Sequence, residues 1–448
     1  MNADIIARYA APVPRYTSYP TAPHFHEGIG EATYRQWLGE PAPGPLSLYF
    51  HIPFCDRLCF YCGCHTKQVR RYEPIAAYMD ALNKEVALVA ACLPDRRKVA
   101  AIHFGGGSPT IVSPGDLQQM RDTLDQYFDI LPDCEISVEI DPTHVDAERL
   151  NAWKSFGMTR ASVGVQDFAP VVQTAINRPQ SYEQTKAVVD TLRELGVGSI
   201  NLDIVYGLPH QNCQMLLQTI DLALSMSPDR LAMFGYAHVP WAKKHQQMID
   251  TATLASPVER FEMASIGARA ILDAGYTPVG IDHFAKPDDS MAQKLSSGAL
   301  RRNFQGYTTD DAQTLIGFGA SSIGRLQQGY VQNIVATGQY CRAVSEGELP
   351  VARGIALSAN DRAAGAAIES LMCSYDVSLA ELRSRYGRAA DDVCSDAVRA
   401  HLLDEDGFTS FDGDTFTVTP EGRPFVRVIA SKFDRYLTLG RAKHSLAV

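Results

Sequence analysis

The sequence predicts an α/β protein: a partial, TIM-like (β/α) barrel with an N-terminal arm and a small, mostly helical, winged-helix-like C-terminal domain. Three observations carry this. Short apolar strands alternate with helical patterns from LSLYFHI at 46–52 through TPVGID at 277–282, which implies parallel strands joined by right-handed crossovers. No G-x-G-x-x-G follows the first strand, which weakens a dinucleotide-binding fold and leaves six or more βα units for a barrel. After about residue 350 the alternation stops and helical segments lead into a hairpin pattern. The expected divisions are 1–45 for the arm, 46–350 for the barrel and 351–448 for the C-terminal domain.

The elements follow in order. The arm is rich in Pro, Tyr and Thr (PVPRYTSYPTA at 12–22, EPAPGP at 40–45) and leads into the first strand. A helix follows Pro74, with Tyr78, Leu82, Val86 and Val89 on one face. VAAIHF (99–104) runs into Gly105-Gly106-Gly107, and Ser113-Pro114 has the cap-then-proline form of a helix start. EISVEI (135–140) is the third strand, followed by a helix that stops near Gly157. TRASVGV (159–165) is the fourth, and Ser181 with Gln184 has capping-box spacing for the next helix. SINLDIVY (199–206) and DRLAMFGY (229–236) complete six strands, and a helix spans about 256–274. In the C-terminal domain three helical segments precede a hairpin turning at Asp412-Gly413. That domain reads as a structural cap in preference to a DNA-binding module.

Composition excludes several functions. The chain has 448 residues, 46% hydrophobic and 21% charged, with net charge -10. Such an acidic balance argues against a broad nucleic-acid footprint, while leaving room for a local basic pocket. The N-terminus lacks the basic-then-apolar form of a secretory signal, and no apolar run approaches the length of a membrane helix. A cytoplasmic protein without a membrane segment is expected. No feature demands an oligomer, so a monomer is expected too.

Of the ten cysteines, Cys55, Cys59, Cys62 and Cys64 fall inside ten residues directly after the first strand, while the other six are scattered. Clustering of this kind in a large chain points to a metal site in place of disulfides. Closely spaced thiolates suit an iron–sulfur cluster. A zinc site completed by Cys64 and His65 and a redox C-x-x-C remain alternatives on spacing alone. The glycine run 105–107 permits close backbone approach and offers N–H groups to a carboxylate, or makes a tight turn. Tyr49, Glu139, Gln166, Asp203 and Ala237 all lie toward C-terminal strand ends, the face that carries barrel active sites. Buried carboxylates there suit a polar ligand or, alternatively, a structural salt bridge.

C-x3-C-x2-C with an aromatic residue before the third cysteine resembles the radical-SAM superfamily signature closely. The resemblance implies a radical-SAM barrel whose [4Fe–4S] cluster is held by Cys55, Cys59 and Cys62. The fourth iron is left open to S-adenosylmethionine (SAM), which is cleaved by one electron to a 5'-deoxyadenosyl radical. Gly105-Gly106-Gly107-Ser108-Pro109-Thr110 resembles the superfamily's GGGTPT motif, with Ser108 in place of Thr. The SAM contacts implied by the resemblance are Tyr49, Tyr61, Gly106, Gly107, Ser108, Glu139, Gln166, Arg178, Asp203, Ala237 and Ile323. At Tyr61 the backbone does the contacting. Some of these residues surround a second SAM in the family.

Substrate enters by further resemblance. PRYTSYPTA (14–22), YFHIPFC (49–55), CGC (62–64), EIDP (139–142), VGVQDF (163–168), NLDIVYGLP (201–209), YAHVP (236–240), DHFAKPDD (282–289), RRNFQGYTT (301–309) and RGIALS (353–358) resemble the oxygen-independent coproporphyrinogen III oxidases nearly end to end. This implies oxidative decarboxylation of two propionates of coproporphyrinogen III to vinyls. A polyanionic substrate calls for cations, and arginine binds carboxylates bidentately. Arg15, Arg301 and Arg302 are the candidates, with Lys67, Arg70 and Arg71. Tyr16, Tyr19 and the RRNFQGYTT segment either cover the macrocycle or simply pack. Cys64 is expected to support activity without ligating iron. Haem chaperones of the superfamily usually lack the arm and the RRNFQGYTT segment and carry Asp-Phe after the third cysteine. Related radical-SAM methyltransferases and haem-ring-opening enzymes are the other rivals. The electron donor and acceptor are not named by the sequence.

Overall fold

The computed structural model describes residues 2–437 and Ser445. Met1 of the expected arm and the rest of the expected C-terminal domain beyond 437 lie outside the described residues. Helices α1 (Ala3–Tyr9) and α2 (Glu31–Gly39) belong to the arm. Strand β1 (Leu46–Ile52) is followed by a short parallel pair, β2 (Phe54–Cys55) and β3 (Lys67–Gln68), that brackets the cysteine loop. Strands β4 (Lys98–Gly106), β5 (Asp129–Ile140), β6 (Arg160–Gln166), β7 (Ser199–Tyr206) and β8 (Arg230–Gly235) pair in parallel in that order from β1. Their crossovers are α3 (Glu73–Ala90), α4 (Pro114–Tyr127), α5 (Ala147–Phe156), α6 (Pro170–Ala175) with α7 (Tyr182–Glu194), and α8 (Cys213–Ser225), and α9 (Pro257–Asp273) follows β8. All six strands therefore end at one mouth of the barrel.

Both flanks extend this unit. Beyond β8 run β9 (Thr277–Val279) and β10 (His283–Ala285). Helix α10 (Ser290–Ser296) and the hairpin β11 (Arg301–Asn303) and β12 (Gly306–Thr308) come next. On the other flank β13 (Thr314–Phe318) pairs in parallel with β1. Then β14 (Ile323–Arg325), β15 (Gly329–Asn333) and, after α11 (Thr337–Ser345), β16 (Val351–Ala356) continue antiparallel. The resulting sheet of 12 strands ends at β16 and β9, so the barrel is partial. Its centre is a stack of rings: Phe50 of β1 lies 4.9 Å from both Phe104 of β4 and Phe318 of β13. Strand β1 is buried on both faces, which is why it reads as a mostly apolar run, with Ser47 and His51 buried in it.

Local signals behave as their chemistry dictates, with one exception. Ser113 caps α4, Ser256 and Glu259 form a full capping box on α9, and Gly157 ends α5 with φ +114. At α7 Ser181 accepts from the Gln184 amide, but the Gln184 side chain donates to Thr143 O at 3.2 Å, so the expected box is only half made.

The C-terminal region runs α12 (Ala359–Ser374), β17 (Asp376–Ser378), α13 (Leu379–Tyr386), α14 (Asp391–Leu402), β18 (Thr409–Phe411), β19 (Thr415–Val418) and α15 (Val426–Ala430). The hairpin turns at Asp412-Gly413, where Gly413 has φ +104. A third strand, β17, pairs with β19 and was not foreseen, because three residues carry too little pattern. Helix, strand, two helices and a hairpin is the winged-helix order. The arm is built into this region: Ile6, Tyr16 and Tyr19 belong to its core, the Tyr16 hydroxyl donates to Asp434 at 3.0 Å, and Arg427 donates to Val13 O at 2.7 Å. Tyr16 and Tyr19 are thus packing residues. A backbone bridge from His26 to Gly354 covers the outer edge of β16. Among the described residues no helix is long and apolar enough to cross a membrane.

Candidate active site at the C-terminal mouth

The cysteine loop lies over the mouth where the parallel strands end. Cys59 is buried, Cys55 and Cys62 are half-buried, Cys64 is exposed, and all four thiols are free. Neighbouring elements hold the loop by its backbone. Phe60 N–H donates to Ile176 O at 2.9 Å, and the Asn177 side chain donates to Leu58 O at 3.0 Å. From beyond β8, His245 Nε2 lies 2.7 Å from Cys62 O, Lys243 Nζ donates to Cys64 O at 2.9 Å, and Gln246 donates to Tyr61 O at 2.9 Å.

The glycine run explains the close seating. A Cβ on Gly107 would stand 2.5 Å from Phe54 O and 2.8 Å from Ile52 O. Gly106 has φ +110, and a Cβ there would strike the His51 ring at 2.4 Å. The N–H groups of this run are used inside the protein: Gly106 donates to Glu139 at 3.0 Å, Gly107 to Ile52 O at 2.8 Å and Ser108 to Phe54 O at 2.8 Å. The expectation that these amides serve a ligand carboxylate is corrected accordingly. The glycines are needed for approach, not for donors. Ser108 is buried, its hydroxyl 3.4 Å from that of Thr110.

Donors reach the sulfurs from two sides. Arg178 Nη1 lies 3.6 Å from Cys59 Sγ, and the Cys64 amide lies 3.4 Å from Cys62 Sγ. Arg178 also binds Asp141 through two bonds of 3.0 Å. Burial opposes the guanidinium charge, but Tyr61, Asp141 and Cys59 more than offset it and hold the pKa above its ordinary value. Burial pushes the Cys55 and Cys59 thiols up, with Arg178 pulling Cys59 back. Cys62 is drawn down, first by its hydrogen bond with Cys64. Among the described residues no three His, Cys, Asp or Glu side chains converge on the position of a single metal ion. A cubane takes one thiolate at each of three corners and asks for no such convergence. Three soft thiols with a guanidinium and an amide aimed at them fit that group.

The strand ends supply the remaining polar groups. Tyr49 O–H lies 3.0 Å from His51 Nδ1, and its ring stacks on His103 at 5.7 Å. Glu139 takes the Gly106 amide and lies 3.4 Å from His103 Nε2, yet leaves 40% of its side chain exposed. Burial pushes its carboxyl up, but His103 and the amide outweigh this, so it stays below its usual value. Asp203 accepts from Ser162 at 2.9 Å and Asn201 at 2.7 Å, though burial still raises its pKa. Gln166 ends β6 at φ +67. Ala237 follows β8, and its carbonyl accepts from Gln246 at 3.2 Å. Ile323 opens β14, its backbone packed against Gly317 of β13.

The expected substrate cations separate. Arg15 donates to Gly235 O at the end of β8 at 2.8 Å, and Arg302 donates to Arg15 O at 3.2 Å. Arg302 is buried with its guanidinium 4.4 Å from the Tyr307 ring, whereas Arg301, its neighbour on β11, is exposed. Lys67 reaches Thr337 and lies over Phe54. Asp141, His51, His103 and the 243–246 turn were missed. Asp141 stood inside a quoted motif, EIDP, but KKHQ carries no pattern that distinguishes it from a polar surface loop.

Comparison with known proteins fits this geometry. Residues 49–223 match the model of the Radical SAM superfamily, and residues 357–425 match that of the HemN C-terminal domain. An oxygen-independent coproporphyrinogen III oxidase of Bradyrhizobium diazoefficiens is 48% identical over 100% of both chains. One from Pseudomonas aeruginosa is 37% identical over 100% of this chain and 98% of its own. Among solved structures, the Escherichia coli coproporphyrinogen III oxidase (HemN), described as a radical SAM enzyme, superposes with a TM-score of 0.90 at 36% identity, covering 94% of this chain and 97% of its own.

Proposed function

The chain belongs to the oxygen-independent coproporphyrinogen III oxidase family of the radical SAM superfamily, and we propose that it oxidatively decarboxylates two propionates of coproporphyrinogen III to vinyls, giving protoporphyrinogen IX. The observation that carries this reading is the C-x3-C-x2-C loop of free thiols seated over the strand ends, in a chain that matches its relatives from end to end. When bound, a [4Fe–4S] cluster on Cys55, Cys59 and Cys62 and a SAM on its open iron supply one-electron cleavage of the sulfonium, and with it the hydrogen-abstracting 5'-deoxyadenosyl group.

The chain's own residues bind and aim. Arg178 offsets thiolate charge at Cys59 while Asp141 fixes its orientation. Glu139, held ionised and partly open, offers an anion to the SAM ammonium group. Tyr49 and His103 wall one side with stacked rings. Gly106, Gly107, Ser108, Gln166, Asp203, Tyr61, Ala237 and Ile323 complete the SAM surroundings, which we take to hold two SAM molecules. Arg15, Arg301 and Arg302 serve the substrate carboxylates, and Cys64 supports activity without ligating iron. We further read residues 1–45, 46–350 and 351–448 as arm, catalytic barrel and C-terminal domain, and the protein as a cytoplasmic monomer served by a separate electron donor and electron acceptor.

The test is an anaerobic assay of reconstituted protein with SAM, reductant and coproporphyrinogen III. Carbon dioxide release with a porphyrinogen product lighter by two carbon dioxides and four hydrogens is expected. Transfer of bound haem without carbon dioxide release, or a product heavier by methyl groups, would refute the proposal.

A further inference from the structure

We infer that Gln246 is a positioning residue for SAM: one buried amide ties a backbone carbonyl of the cysteine loop to one of the segment after β8 and sets their spacing. The inference rests on the function proposed above. Gln246 is 0% exposed and lies on the short turn Lys244–Met248 after β8. Its Oε1 accepts from Val239 N–H at 2.6 Å, which fixes which way the amide faces. Its Nε2 donates to Tyr61 O at 2.9 Å and to Ala237 O at 3.2 Å. Tyr61 belongs to the cysteine loop after β1 and Ala237 to the segment after β8, and both are expected SAM contacts.

The geometry gives this residue a role that its neighbours lack. Lys243 and His245 also hold the cysteine loop, each at one carbonyl. Of the three side chains, Gln246 is the one that bridges the cysteine loop and the segment after β8. A carbonyl oxygen has two lone pairs, so the hydrogen bond from Gln246 orients each carbonyl while leaving one lone pair for a ligand. Without those donors the two acceptors lose their fixed separation, whereas the thiols keep their own supports in Arg178, Lys243 and His245.

Two variants test this. Gln246→Glu keeps the shape and the acceptor for Val239 but removes both donors, and Gln246→Met keeps only the length. Iron and sulfide content, thermal unfolding and a SAM titration of the reduced cluster followed by electron paramagnetic resonance are read for each. Both variants are expected to retain iron and to unfold cooperatively at a temperature lowered by the buried groups they strand, while the SAM dissociation constant rises about tenfold or more. Turnover at saturating SAM stays within about threefold, because supports that act through binding weigh on KM. Wild-type SAM affinity in both variants overturns the inference. Loss of the cluster in both also overturns it, since the residue would then be a tie of the cysteine loop. A wild-type protein that holds no cluster, or whose cluster ignores SAM, would instead refute the function proposed above.

Discussion

The two mouths of the barrel both carry charged residues at strand ends, yet they use them in opposite ways. At the N-terminal mouth a cavity of about 450 Å³ is lined by Arg160, Ser199 and Arg230, the first residues of β6, β7 and β8, with Glu135, Asp229, Lys286 and Asp289. There the charges just named are matched within the protein. Arg230 Nε contacts both Asp289 oxygens at 2.8 and 2.9 Å, Arg160 reaches Glu135 at 3.4 Å, and Asp229 takes Arg193 at 2.8 Å and Lys286 at 3.5 Å. Arg160 Nε, Arg230 Nη1 and Ser199 Oγ are buried and have no hydrogen-bond partner. At the C-terminal mouth the thiols are free and Glu139 keeps an open face. The cavity that His103, Glu139 and Asp203 line is smaller, about 140 Å³. Unspent ligands facing open space, not charge or volume, mark the site, and the division matches the general one between stability and chemistry in such barrels.

Substitutions at the two ends sharpen this contrast. Cys59→Ser at the C-terminal mouth is expected to lower turnover by more than about 10³-fold, equivalent to about 4 kcal/mol, with loss of iron measured alongside. Retention of cluster and activity would erase the distinction between the mouths. Asp289→Ala at the other end strands a fully buried guanidinium and is expected to cost about 3 kcal/mol in denaturant unfolding, with turnover per cluster unchanged. Asp141→Asn returns to the site. It weakens the fork that orients Arg178 and is expected to lower activity about 10- to 100-fold while the fold persists. Cys64→Ser gives the smallest effect, less than about tenfold in turnover with iron content kept, because serine keeps the backbone amide aimed at Cys62 and a hydroxyl in place of the neighbouring thiol.

The same contrast explains what could be read in the sequence. The six parallel strands were legible because β1, β7 and β8 are buried almost continuously and β6 alternates at the period of a strand. The cysteine motif was legible because its ligands are local in the chain. The antiparallel extension was not: β14 is three residues long, and β15, GYVQN, is fully buried despite Gln332 and Asn333. Asn333 is accommodated because it donates to Glu85 at 2.6 Å and Gly319 O at 3.1 Å, pairings that only the tertiary fold creates. Arg301 and Arg302 looked equivalent until strand alternation turned one outward and the other onto Tyr307. The 243–246 turn stayed hidden for a related reason. Its contacts are to backbone carbonyls distant in the chain, and backbone leaves no signature in a partner's sequence.

The measurement that bears most directly on the central claim is electron paramagnetic resonance of the anaerobically reconstituted, reduced protein before and after SAM is added, with Cys64→Ser in parallel. Three thiolates leaving one iron open predict a [4Fe–4S] signal that SAM reshapes in both proteins. A signal that SAM leaves unchanged, or one that disappears in Cys64→Ser, would mean that the chain ligates every iron, and the account would be wrong.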